Sequence, residues 1–377
     1  MEMPHNIPLF GIYRDARMDA AALEVLHSGQ IASGSYVKQF ADGFGKLVNQ
    51  ANVVTVNDMS SAIQIALRII GVGPGDEVLA ASYACMSTNA PIATCGATAV
   101  WVDIDPRTGT LDPAALEHAI SPRSKAVIVY HLAGYPADIQ QIARICQERG
   151  LKLIEDCDNA LLATVGGEQV GRFGDFAIFS FYPNRQINAT EGGALCCRSA
   201  EDAERATKLR RYGIDLTRFR DPHGEIDPAC DIPEVGWAAT LNNLCSAIGY
   251  TQVCEVERRI AQTRSVAKRL TQELAQIKGV EVVSPLVGAI PSYWALLIKL
   301  RNRDQVMTEV KRRGVQVSKL HQRTDQYSGF ATALAELPKT KYFLDHVLGL
   351  PCGWWMSDEN ADTVVSVLRL SVEMFDA

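Results

Sequence analysis

Several short stretches of this chain place polar side chains where chemistry is commonly done. Ser60 and Ser61 open the run Ser60-Ser61-Ala62-Ile63-Gln64-Ile65-Ala66-Leu67-Arg68-Ile69-Ile70 just after the strand-like Val53-Val54-Thr55-Val56. Free N–H groups and the dipole at such a helix N-terminus favour an anion. Asp156 closes the apolar run Lys152-Leu153-Ile154-Glu155, with Asn159 a turn further on, and Ser180 and Arg185 follow in Gly174-Asp175-Phe176-Ala177-Ile178-Phe179-Ser180-Phe181-Tyr182-Pro183-Asn184-Arg185. A strand-end acid or serine can equally cap the next turn. Arg185 is the most restrictive of these groups. A guanidinium stays protonated at physiological pH, so it can clamp or stabilise negative charge but cannot serve as a nucleophilic amine or an ordinary proton shuttle.

The elements that must hold these residues alternate between short apolar runs and helical stretches from about residue 50 to 200, the pattern of an α/β domain with a largely parallel sheet. Glu77–Ala81, Ala99–Asp103, Ala126–Tyr130 and Lys152–Asp156 read as further strands, each short and mostly apolar as buried strands tend to be. Gly71-Val72-Gly73-Pro74-Gly75-Asp76 stops the helix that Ser60 opens. A polar–apolar periodic stretch over Tyr250–Ile277 predicts one long helix linking a large α/β domain, residues 1–250, to a smaller α+β domain, residues 251–377. In the latter, Gly279–Val283, Ser292–Leu300 and Val315–Val317 read as strands, with a helix from Asp304 to Arg313, and a small antiparallel sheet with helices is the expected architecture.

Composition narrows the function. With 377 residues, 47% of them hydrophobic and 21% charged, the chain suits a globular enzyme rather than a disordered or low-complexity segment. A net charge of −6, with acids and bases mixed along the sequence, offers neither a basic stripe for nucleic acid nor a polybasic run for a membrane surface. Met1-Glu2-Met3-Pro4-His5 lacks a charged-then-apolar leader pattern, and no apolar run reaches the roughly 18 residues that a membrane span needs, so a cytoplasmic protein acting on a small molecule is expected. The ten cysteines show no paired Cys-x-x-Cys spacing, so no zinc or iron–sulfur ligand set is legible and no metal is expected. Gly-x-Ser-x-Gly, P-loop and dinucleotide Gly-x-Gly-x-x-Gly motifs are absent.

The segment from Gly174 through Glu191-Gly192-Gly193 resembles the cofactor-lysine motif of the DegT/DnrJ/EryC1/StrS sugar aminotransferases, roughly G-D-x-x-x-F-S-F-x-x-x-K-x-x-x-x-x-E/D-G-G. Arg185 stands at the lysine. The likeness covers nearly the whole chain: Ser28-Gly29-Gln30-Ile31-Ala32-Ser33-Gly34-Ser35-Tyr36-Val37-Lys38-Gln39-Phe40 matches the family's opening, His131-Leu132-Ala133-Gly134-Tyr135-Pro136-Ala137-Asp138 a central stretch, and Arg323-Thr324-Asp325 and Pro351-Cys352-Gly353-Trp354-Trp355 two elements of one subgroup. It implies fold-type I, usually a homodimer with active sites at the subunit boundary, and a pyridoxal phosphate or pyridoxamine phosphate cofactor.

By this resemblance Asp156 pairs with the cofactor's ring nitrogen, Ser180, Ser60 and Ser61 serve its phosphate, and Asn159 and Arg185 complete the cofactor site. Arg211, Tyr212, His321 and Arg323 border the substrate, a sugar or sugar nucleotide, although each is also an ordinary solvated or structural residue. Departures from the family pattern accumulate: Arg185 for the Schiff-base lysine, Met59-Ser60 for Gly-Thr, Asn159 for Gln or His, and Ala238 for the residue that reaches the phosphate in the neighbouring subunit. Three readings follow: a member that uses the cofactor non-covalently, a catalytically silent homologue partnering an active paralogue, and a Lys-to-Arg variant of an ordinary enzyme.

Overall fold

A computed structural model describes residues 6–375; Met1-Glu2-Met3-Pro4-His5, where no leader pattern is read, lie outside the described residues. The central sheet has seven strands in the order 53–56, 193–197, 176–180, 152–156, 124–130, 77–81, 98–102. Only Gly193–Cys197 runs antiparallel to its neighbours, so the C-terminal ends of the other six and the N-terminal end of this one share a single sheet edge. Crevices at the carboxyl ends of strands are where open α/β sheets hold ligands.

Period-two alternation explains the packing. Val54, Val56, Val78, Ala80, Ala126, Ile128, Phe176 and Ile178 face one helical layer, whereas Leu79, Val127, Val129, Ala177 and Phe179 face the other. Cys196 and Cys197 divide between the two layers, as a buried strand requires, and all ten cysteines are free thiols. The turn before Phe176–Ser180 is fixed by Glu155, whose buried carboxylate accepts the N–H groups of Gly171, Phe173 and Gly174 at 2.7, 2.7 and 2.6 Å. His131 Nδ1 accepts the Ala137 N–H, so its Nε2 carries the proton towards Glu155, 3.3 Å away.

A three-stranded antiparallel sheet, Glu281–Val282, Leu296–Lys299 and Val347–Leu350, lies towards the C-terminus with the helices Val256–Leu274, Arg303–Arg312 and Asp358–Phe375. Sequence expectation and structure differ in three places. The helix expected over Tyr250–Ile277 spans only Val256–Leu274, because a preceding helix, Asn243–Tyr250, ends at Tyr250 and the turn between them buries Gln252, which clamps the Asn188 peptide from both sides. The strand expected from Ser292 begins only at Leu296, since the Ser292 and Trp294 N–H groups bond instead to Gly134 and Ala133 carbonyls. Val315–Val317 makes only an isolated bridge, Val315 to Ile7, in place of a ladder. Among the described residues no helix is long and apolar enough to cross a membrane.

Candidate functional site

At the shared sheet edge, Asp156 ends its strand wholly buried. Thr88, on the helix Met86–Thr94, donates its hydroxyl to Asp156 Oδ2 at 2.6 Å, and the Asp158 N–H reaches Asp156 Oδ1 at 3.1 Å. Burial, and then the charge of Asp158, push the Asp156 carboxyl up to about 8, so it is largely protonated at neutral pH.

Asp158 is also buried, and its Oδ2 accepts Arg185 Nη2 at 2.8 Å. The guanidinium gives Nη1 to Asn184 Oδ1 at 2.6 Å and lies 4.9 Å from the centre of the Trp294 ring. Trp294 is itself stacked on Phe10, ring centroids 3.9 Å apart, and donates Nε1–H to the Asn184 carbonyl at 2.9 Å. Arg185 is thus held by charge, by hydrogen bonds and by an aromatic face. Burial pulls its pKa down, yet the Asp158 carboxylate more than restores it and the net shift is upwards.

Three buried atoms of this cluster, Arg185 Nε, Asp158 Oδ1 and Asn159 Oδ1, have no hydrogen-bond partner among the described residues. Asn159 Nδ2 donates to the Tyr130 hydroxyl at 2.5 Å, and that hydroxyl lies 3.1 Å from His321 Nε2. With the Asn159 amide donating to it, the Tyr130 hydroxyl can give its own proton to His321 Nε2, an arrangement that goes with the Nδ1–H tautomer of the imidazole. Burial, and then the Arg185 charge, lower the His321 pKa to about 3 and keep the imidazole neutral. Burial, and then the charges of Asp158 and Asp156, raise that of Tyr130.

The other sequence candidates fall in three groups. Ser60 and Ser61 stand at the start of the helix Met59–Ile70, next to Ser180: Val56 and Ser180 both pair with Gly193. Asp58 caps this helix, taking the Ser61 N–H at 3.0 Å and its hydroxyl at 2.9 Å, while Ser180 Oγ accepts the Tyr182 N–H at 3.3 Å. Arg323 is spent on Asp325 and the Ala335 carbonyl, a local clamp. Arg211 and Tyr212 lie on an exposed turn beside Ala238, and among the described residues no hydrogen bond or ion pair joins them to the Asp156 cluster.

Sequence reasoning missed Asp58, Thr88, Tyr130, Asp158 and Trp294. Asp158, two residues after an identified acid and next to Asn159, carried the clearest signal of these.

The whole arrangement matches known proteins. Residues 13–369 fit the DegT/DnrJ/EryC1/StrS aminotransferase family model. Among solved structures, the aminotransferase TlmJ from Streptoalloteichus hindustanus is 29% identical with a TM-score of 0.91, over 98% of this chain and 100% of that one. The sugar aminotransferase CalS13 from Micromonospora echinospora is 28% identical with a TM-score of 0.90, over 97% and 99%. S. venezuelae DesV, solved with a ketimine intermediate, is 27% identical with a TM-score of 0.88, over 98% and 99%. The agreement spans nearly the whole chain, and this chain belongs to the DegT/DnrJ/EryC1/StrS aminotransferase family.

Proposed function

We propose that this chain keeps the frame of a sugar aminotransferase without transaminating: it makes no covalent link to pyridoxal phosphate and binds a sugar, sugar nucleotide or related keto or amino compound non-covalently, as a catalytically silent homologue. The observation that carries this reading is the buried Arg185–Asp158 pair. A Schiff base needs a neutral amine; Arg185 offers a permanent cation, and Asp158 stabilises that cation further.

Pyridoxal phosphate, the cofactor the family implies, is matched by only one part of the site. Asp156, buried and supported by Thr88, suits a ring nitrogen. At the lysine position no amine is available. At the helix N-terminus that would take a phosphate, the Asp58 carboxylate already occupies Ser61. These residues do not fit the cofactor as a whole, so no reaction step is assigned to it.

Asp158 also weighs against the Lys-to-Arg variant of an ordinary enzyme, since a lone substitution would not bring a matched buried counter-ion with it. The reading in which a cofactor is used non-covalently is favoured by Asp156 alone. We further propose the family's homodimer, with a paralogue heterodimer as the alternative; Trp237 and Ala238, exposed in the single chain, are available to a partner. The direct test incubates purified protein with pyridoxal phosphate, glutamate and keto-sugar nucleotides. No amino-sugar above the protein-free control is expected, and turnover at rates typical of enzymes, about 1 per second or more, would overturn the reading.

A further inference from the structure

The crevice where the helix Met59–Ile70 meets Ser180 and Gly193 is built tightly from backbone: a Cβ on Gly193 would stand 2.9 Å from Met59 N and 3.0 Å from Phe179 O. A helix N-terminus facing such a crevice at the carboxyl ends of strands is ordinarily a phosphate site. Here it carries fixed negative charge. Asp58 places both carboxylate oxygens on Ser61 in the first turn. Glu191, just before the strand that begins at Gly193, senses it: burial and then the Asp58 charge raise the Glu191 carboxyl. Among the described residues neither acid has a cationic partner to offset it, and Ala238 adds no donor.

We infer that Asp58 makes this site exclude phosphate, so that the pocket turns away ligands ending in a phosphate, pyridoxal and pyridoxamine phosphates included, and admits ligands of similar size that lack a terminal phosphate. The inference deepens the non-covalent binding reading above and rests on it. Like charges held at short range in a partly desolvated crevice repel more strongly than in water, and one donor that would repay a phosphate for its lost hydration, the Ser61 N–H, is already taken.

The test is calorimetry of the full-length protein with pyridoxamine 5′-phosphate, pyridoxamine and inorganic phosphate. Asp58→Asn removes the charge while keeping an oxygen that can cap Ser61, and Asp58→Ser is a second capping residue should the first fold poorly. Pyridoxamine is expected to bind wild type at least as tightly as its phosphate ester. Either substitution should tighten the phosphate ester at least tenfold and leave pyridoxamine within about twofold. Wild type preferring the phosphate ester would overturn the inference. So would variants without a gain, including the case where neither compound binds, because the barrier would then lie elsewhere. A covalent adduct with pyridoxal phosphate would sink the proposed function and leave this comparison standing.

Discussion

Arg185 and Asp158 form an ion pair of 2.8 Å in which the acid is wholly buried and the arginine side chain only 9% exposed. Breaking one partner of such a pair leaves an uncompensated buried charge, so Asp158→Ala is expected to cost about 3–5 kcal/mol. The double variant Asp158→Ala with Arg185→Met should cost clearly less than the sum of its single changes. Chemical denaturation of the full cycle measures this; additive costs would show that the two side chains are not coupled.

The same pair predicts how a restored lysine behaves. In Arg185→Lys, Asp158 would hold the new ammonium protonated, so the single variant should gain little reactivity towards pyridoxal phosphate. Adding Asp158→Ala should free the amine and raise the labelled fraction several-fold. Absorbance and mass after labelling report it, and equal labelling of the single and double variants would remove Asp158 from the account.

Two desolvated groups, Asp156 wholly buried and His321 half-buried, set opposed dependences on pH. Asp156, raised to about 8 in the fold, ionises near pH 4 when unfolded, so its contribution is present at low pH and is lost as pH rises towards 8. His321, lowered to about 3, becomes protonated near 6.5 when unfolded, so its contribution is present above that pH and is lost as pH falls towards 3. The two offset between about pH 4 and 6.5 and leave Asp156 dominant above. Stability should fall by up to about 1.4 kcal/mol per pH unit from 6.5 to 8, and Asp156→Asn should flatten that slope. Urea unfolding at both ends of the window decides it; an unchanged slope would show that Asp156 is already ionised.

Tyr130 links Asn159 to His321, so Tyr130→Phe leaves a buried amide without its acceptor and an imidazole nitrogen without its donor. A loss of about 1–3 kcal/mol is expected. Loss of a donor to Nε2 should also move the His321 titration upwards, which nuclear magnetic resonance can follow. A neutral effect on both would mean the chain of hydrogen bonds carries no energy.

Much of the site is legible in the amino-acid sequence. Asp156, Ser180 and Ser60 end strands or begin a helix, and a parallel sheet gathers such ends at one edge whatever the loops do. The strand cores are legible because alternating apolar residues pack on both faces. What escapes depends on partners remote in sequence. Trp294 sits in a run that reads as strand, and only its docking on Ala133 and Gly134 turns it towards Arg185. Tyr130 reads as the last core residue of its strand until His321 is brought alongside. Asp58, beside Met59, escapes because a capping acid is an ordinary helix signal, and its charge matters only once Ser180, Gly193 and Glu191 surround it.

The most direct test of the central claim is intact-protein mass after incubation with excess pyridoxal phosphate and reduction with borohydride. The account predicts an unchanged mass and no absorbance band beyond that of free cofactor. A stoichiometric adduct mapped to any lysine of the pocket would contradict it.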